Sequence, residues 1–238
     1  MPQHIRIVLV EPSHPGNVGA AARAMKTMCL DELVLVKPAC FPHADAQARA
    51  SGALDVLEHA RVVTDLEAAV RGCSMVAGTS ARPRDLGPPA LAPRACATRL
   101  LQAPADAEVA ILFGRERTGL TNEEVERCHF LIHIPANPAY SSLNLAAAVQ
   151  ILAYELLLAR HTAPVTNDSD AAPAAVEELE GLYAHLEAAA IASGFLDPAQ
   201  PKYLMRRLRH LFNRAQPDQR EINILRGLLN ALQRGKHG

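Results

Sequence analysis

Val109-Ala-Ile-Leu-Phe113-Gly114-Arg115-Glu116-Arg117-Thr118-Gly119-Leu120 sets the architecture of this chain. It opens with five apolar residues, stops at a glycine and turns polar. A short apolar run bounded by a turn signal reads as a buried strand. The glycine admits a second backbone or a ligand close to the main chain. Behind it lie a helical stretch, Asn122–Cys128, and another apolar run, Leu131–Ile134. The same alternation recurs upstream. Ile5–Val10, Leu33–Val36 and Met75–Ala77 read as strands, with Val62–Val63 as a short extra one. Asn17–Met28, Ala44–Leu57, Leu66–Arg71 and Pro89–Leu101 read as helices, and Ser142–His161 is the longest and most apolar helix. Strands alternating with helices at this spacing predict βαβ units and a parallel sheet. Near-continuous apolar strands predict helices on both faces of that sheet. The fold class is therefore α/β.

Outside this region the composition changes. Thr162–Ala175 (TAPVTNDSDAAPAA) has the composition of a linker. Val176–Ser193, Pro201–Arg214 and Gln219–Arg234 read as three amphipathic helices, broken at Gly194 and Pro217. This divides the 238 residues into a main domain, 1–161, a linker, 162–175, and a helical extension, 176–238. Three short helices hold too little apolar surface for a large core, so they are expected to pack on the main domain or on a second subunit. Residues 1–200 carry a net charge of −8 and residues 201–238 a net charge of +7. The arginine-rich tail reads either as a polyanion contact or as a solvated helix face, and arginine's bidentate fit to phosphate favours the first.

Several function classes are excluded by composition. The five cysteines (Cys29, Cys40, Cys73, Cys96, Cys128) form no C-x-x-C pair, which argues against a disulfide scaffold or zinc ribbon. His129 and His133 are four apart but flank Phe130-Leu131-Ile132, a strand rather than a ligand helix, so no metal site is expected. With no Trp and nine Phe plus Tyr, a stacking platform for single strands is poorly supplied. No apolar stretch spans a bilayer, and the first residues lack a signal-peptide core, so a soluble, cytoplasmic protein is expected.

In an open parallel sheet, ligands sit beyond the carboxyl ends of the strands. The first strand is followed by Gly16-Asn17-Val18-Gly19 and then, one helical turn on, Arg23. The spacing is G-x-x-G without the G-x-G-x-x-G turn, and Lys37-Pro38 stands where a ribose-binding carboxylate would end the second strand, which disfavours a nicotinamide oxidoreductase. Thr79-Ser80-Ala81-Arg82-Pro83-Arg84, Gly114-Arg115-Glu116 and Ile134…Ser141-Ser142-Leu143-Asn144 leave three further strands through glycine, hydroxyl or arginine residues. Ser141 or Ser142 alone reads equally well as a helix N-cap.

N-x-G-A-x-x-R at Asn17–Arg23, L-F-G-x-E-x-x-G-L at Leu112–Leu120 and I-P…S-S-L-N at Ile134–Asn144 resemble, in order, the three motifs of the SpoU branch of the SPOUT RNA methyltransferases. The resemblance spans about residues 4–160. The opening Ile7–Gly19 stretch and the helical tail resemble the subgroup that 2′-O-methylates cytidine or uridine at tRNA nucleotide 32, in the anticodon loop. The resemblance implies a C-terminal trefoil knot, an exception to the unknotted rule. It implies S-adenosylmethionine held by Thr79, Ser80, Ala81, Gly114, Ile134, Ser141, Ser142 and Leu143, and a homodimer whose sites form across the interface. Arg23 then faces the cofactor of the other subunit and readies the ribose hydroxyl, with Asn17, Glu116, Ser142 and Asn144 around it. Arg82, Arg84 and Arg115, beside these loops, are candidates for RNA-phosphate contacts, with solubility the plain alternative. Another tRNA site, a ribosomal RNA target or a non-catalytic RNA-binding dimer are the other readings. The last requires a damaged motif, and all three stand intact.

Overall fold

The computed structural model describes residues 4–81, 87–162 and 174–234. His4–Val10 (β1), Leu33–Val36 (β2), Arg61–Val63 (β3), Cys73–Thr79 (β4), Ala90–Leu91 (β5), Glu108–Phe113 (β6) and Phe130–Ile132 (β7) form one sheet in the order β3-β2-β1-β6-β4-β7-β5. Every pairing is parallel, with Ile7 opposite Leu33 on one side and Ile111 on the other. β2 is buried along its whole length and β6 from Val109 onward, as their apolar sequence requires.

Helices Pro15–Thr27 (α1), Ala44–Ala50 (α2), Leu54–Glu58 (α3), Pro93–Leu101 (α5) and Leu145–Thr162 (α7) belong to one side. There Ile7, Leu9, Met25, Leu35, Leu100, Ile111, Phe113, Leu152 and Leu156 form the larger core. Leu66–Val70 (α4) and Asn122–Glu126 (α6) cover the other side over Val8, Val10, Val34, Val76 and Leu112. α1 sits tightly against α2 because Gly19 has no side chain: a Cβ there would overlap the backbone of Ala46.

Several element boundaries differ from the sequence expectation. Ala44–Leu57 is not one helix. It breaks into α2, a 3₁₀ turn at Ser51–Ala53 and α3, because Ser51 takes φ 53°. Pro89–Leu101 yields first the short strand β5, paired with β7, and a helix only from Pro93. The strand expected to reach Ile134 ends at Ile132, and the long helix begins at Leu145 rather than Ser142. Of the expected linker, Thr162 still belongs to α7, and Ala174 is buried with its N–H donating to Pro217 O at 2.9 Å. Residues 163–173 lie outside the described part.

Val176–Ala192 (α8), Leu204–Ala215 (α9) and Gln219–Arg234 (α10) share a small core of Leu179, Leu182, Tyr183 and Ile222. Too small to stand alone, this unit docks on the main domain. Asn213 Nδ2 donates to Cys128 O at 3.0 Å, and its Oδ1 accepts from the Tyr183 hydroxyl at 2.7 Å. Arg209 forks onto Glu180 at 2.5 and 2.8 Å and covers the Tyr183 ring at 4.4 Å. Val176 joins the main-domain core.

Candidate functional site

The carboxyl ends of β4, β6 and β7, which lie side by side, open into one cleft of about 750 Å³. Thr79, Ser80 and Ala81 line it after β4, and Phe113 to Leu120 with Asn122 line it after β6. After β7 it is lined by Ile134, Ser141, Ser142, Leu143, Leu145 and Ala148. All eight residues expected at a cofactor site therefore meet at one place. Phe113, Leu120, Ile134, Leu143, Leu145 and Ala148 give it apolar walls, while hydroxyls and glycine-flanked backbone give polar edges. Its size and mixed lining are those of a small-molecule site.

A polar junction holds the loops around this cleft. Glu116 accepts from Ser13 N at 3.0 Å, Ser13 Oγ at 2.9 Å, His14 N at 3.2 Å and Asn17 Nδ2 at 3.0 Å. Asn17 Oδ1 accepts from Asn144 Nδ2 at 3.0 Å. Asn144 Oδ1 in turn accepts from Ala146 N at 2.9 Å and Ala147 N at 3.3 Å, capping α7. One chain of bonds thus ties the loops after β1, β6 and β7 together. The α7 cap is Asn144, which replaces the Ser141 or Ser142 cap left open by sequence; both serines face the cleft instead.

Partial burial would raise the Glu116 pKa, but the Ser13 and Asn17 donors outweigh it and bring it down to about 2. Its folded value lies below the usual 4.5, so its contribution to stability is present above that pH and is lost as pH falls towards 2. Glu116→Gln should cost about 1–2 kcal/mol at pH 7, discounted for solvent screening. Urea unfolding of parent and variant should show that gap closing as the pH is lowered to about 3. A constant gap would mean that charge on Glu116 is immaterial.

Arg115 requires a correction. Expected to reach RNA phosphate, it is instead forked between two carboxylates. It donates to Glu11 at 2.9 Å (Nε) and 2.6 Å (Nη2), and to Glu124 at 3.0 Å from both terminal nitrogens. These bonds occupy the donors a phosphate would need. Glu11 meets it from a left-handed turn, φ 47°, at the end of β1. Glu124 also completes the capping box of α6 with Thr121. Arg115 is thus a strut between loops. Arg82 and Arg84 lie outside the described residues.

Arg23 lies apart from the cleft. It is exposed on α1 and makes no hydrogen bond or ion pair with the described residues. His129 and His133 flank β7, as expected of a strand; His129 is buried, its pKa pushed down to about 4 by desolvation, and its Nδ1 accepts from Val76 N at 3.0 Å. Sequence reasoning missed Glu11, whose partner lies 104 residues away, and Arg206, a cleft residue supplied by α9. No local pattern marks either one.

Residues 4–154 match the model of the SpoU rRNA methylase family, and residues 177–238 match that of the C-terminal domain of the tRNA methyltransferase TrmJ. The chain is 52% identical over 249 residues to the tRNA (cytidine/uridine/adenosine-2′-O-)-methyltransferase TrmJ of Pseudomonas aeruginosa, covering 100% of this chain and 97% of that one. It is also 52% identical over 238 residues to the tRNA (cytidine/uridine-2′-O-)-methyltransferase TrmJ of Sodalis glossinidius, covering 98% and 92%. The crystal structure of TrmJ from Z. mobilis superposes with a TM-score of 0.83 at 37% identity, covering 98% and 99%.

Proposed function

The chain belongs to the SpoU methylase family, in the branch of the TrmJ tRNA methyltransferases, and from that premise we propose which residues carry its reaction. The protein is an S-adenosylmethionine-dependent tRNA 2′-O-methyltransferase acting on pyrimidine nucleotides. The nucleotide we assign is 32, in the anticodon loop, and the compartment is the cytoplasm. Among the described residues no helix is long and apolar enough to cross a membrane.

The cleft suits that cofactor. An adenosine bearing an amino-acid tail needs apolar walls beside hydroxyl and backbone edges, and both line the same 750 Å³. The bound donor supplies a sulfonium methyl already activated for in-line transfer. The protein's part is then alignment of the ribose and removal of its proton. Thr79, Ser80, Ala81, Gly114, Ile134, Ser141, Ser142 and Leu143 bind the donor. Asn17, Glu116 and Asn144 hold the loops around it in register, and Ser142 orients the incoming hydroxyl.

Arg23 readies that hydroxyl from a second copy of the chain. The observation that carries this reading is its position: the eight residues expected to hold the donor all line the cleft, yet Arg23 is exposed on α1 and lines no part of it. A homodimer that sets α1 against the partner's cleft supplies the missing group. A guanidinium stays protonated in proteins, so Arg23 acts by clamping the phosphate beside the ribose and lowering the hydroxyl pKa, not as a base. We also read residues 130–162 as the knotted segment. In support, β7 inserts beside the earlier strand β4, and the chain then returns past the cleft to set α7 against α1 and α5.

Calorimetry and methylation mapping test this together. The protein should bind S-adenosylhomocysteine with one site per chain and show no heat with nicotinamide dinucleotides. tRNA from a deletion strain should lose ribose methylation at nucleotide 32. Loss at another nucleotide would overturn the site assignment, and absent binding would overturn the cofactor reading.

A further inference from the structure

We propose that Arg206, on the helical extension, binds the carboxylate at the amino-acid end of the methyl donor, so that the extension completes the cofactor site. This rests on the reading that the cleft holds S-adenosylmethionine. Four charged side chains line the cleft: Arg115, Glu116, Arg117 and Arg206. Arg115 is consumed by Glu11 and Glu124, and Glu116 by Ser13, His14 and Asn17. Two cations therefore face the cleft for an incoming anion. Arg117 is exposed and makes no bond with the described residues, so fixing it on a ligand costs the entropy of a long side chain.

Arg206 is already fixed. Its Nε donates to Glu126 Oε1 at 2.5 Å, its Nη2 meets the same oxygen, and its guanidinium carbon lies 5.8 Å from the centre of the Tyr203 ring. A guanidinium has five N–H donors, and this contact uses one edge on a single oxygen. The other edge retains the two parallel donors that match a carboxylate. Its backbone is fixed as well. Arg206, Arg209 and Asn213 recur at helical spacing on α9, and the last two make the bonds that seat the extension on α8 and the main domain. Glu126 also settles which anion fits. Phosphate backbones are drawn to uncompensated positive charge. A cation paired with a neighbouring anion suits the carboxylate of a small zwitterion better.

Calorimetry with two probes tests this: S-adenosylhomocysteine carries the amino-acid end, and 5′-methylthioadenosine lacks it. Arg206→Ala should weaken the first by about tenfold and the second by less than about twofold, the scale of one charge-assisted pair. Arg206→Lys, which keeps charge without the fork, should fall between. Glu126→Gln keeps the guanidinium but loses the charge that fixes it, so it should weaken S-adenosylhomocysteine by about threefold, clearly less than Arg206→Ala does. Equal losses for both probes, or equal losses in the Arg206 and Glu126 variants, would mean that the pair only seats the helix, and would overturn the inference. Unchanged S-adenosylhomocysteine binding with a flattened salt dependence for tRNA would overturn it in favour of a phosphate contact. A parent protein that binds neither probe would overturn the cofactor reading itself.

Discussion

Replacing Arg23 by alanine should slow single-turnover methyl transfer by about 10²–10³-fold, the loss that follows removal of one preorganised electrostatic donor, with S-adenosylhomocysteine affinity unchanged. The separation follows from where the residue sits. Arg23 is exposed, has no partner among the described residues and lines none of its own chain's cleft. Surface substitutions of that kind usually leave stability within about 0.5 kcal/mol. Whatever the rate loses is then a loss of chemistry and not of fold. Arg23→Lys discriminates the mechanism. Lysine keeps the charge but is a point donor, so a phosphate clamp that depends on the fork should lose about tenfold. Rapid-quench assays at saturating donor and tRNA give both numbers, and a lysine variant at full rate would sink the clamp.

The sheet was legible because its strands are short, apolar throughout and bounded by turn residues. Ile5–Val10, Leu33–Val36 and Val109–Phe113 carry their own boundaries in sequence and are β1, β2 and β6 with one-residue adjustments. The strand-end loops were legible from their place: in an open parallel sheet ligands sit beyond the carboxyl ends of the strands, and three successive ends there carry glycine or hydroxyl residues. What failed were features decided by partners far along the chain. Ala44–Leu57 has unbroken helical composition, but its path over α1 imposes a left-handed Ser51. Ala90–Leu91 is a strand only because β7 offers an edge. Arg115 read as a free cation because its partners are Glu11, 104 residues away, and Glu124 on the following helix. Arg206 is the same problem, its partner Glu126 lying 80 residues away. Its pattern says only amphipathic helix; that it lines the cleft depends on how α9 docks.

Gly114→Ala should abolish measurable S-adenosylhomocysteine binding, a loss of at least about a hundredfold by analogy with misplacing a preorganised site by an ångström. Gly114 ends β6 where the chain turns back, with Gly119 N donating to Arg115 O at 2.9 Å. A Cβ on Gly114 would overlap the backbone of Gly119 and Leu120. Neither is a side chain that can swing aside, so residues 115–120 must move as a body, and they form one wall of the cleft. Gly119→Ala is the contrast. It takes φ 69° but has open space around its Cα, so it should cost only the left-handed strain, about 1 kcal/mol, and keep binding. If both glycine variants bind normally, the close approach at Gly114 does not shape the site. The Gly114 variant also tests the shared active site. Its lesion destroys the donor cleft but leaves Arg23 on α1, while Arg23→Ala does the reverse. Each homodimer should be inactive. Co-refolded at equal concentration, half of the dimers should be mixed and hold one intact cleft facing one intact arginine, restoring about a quarter of the parent's activity. If cleft and arginine worked within one chain, no mixture could recover activity, because neither chain would carry both.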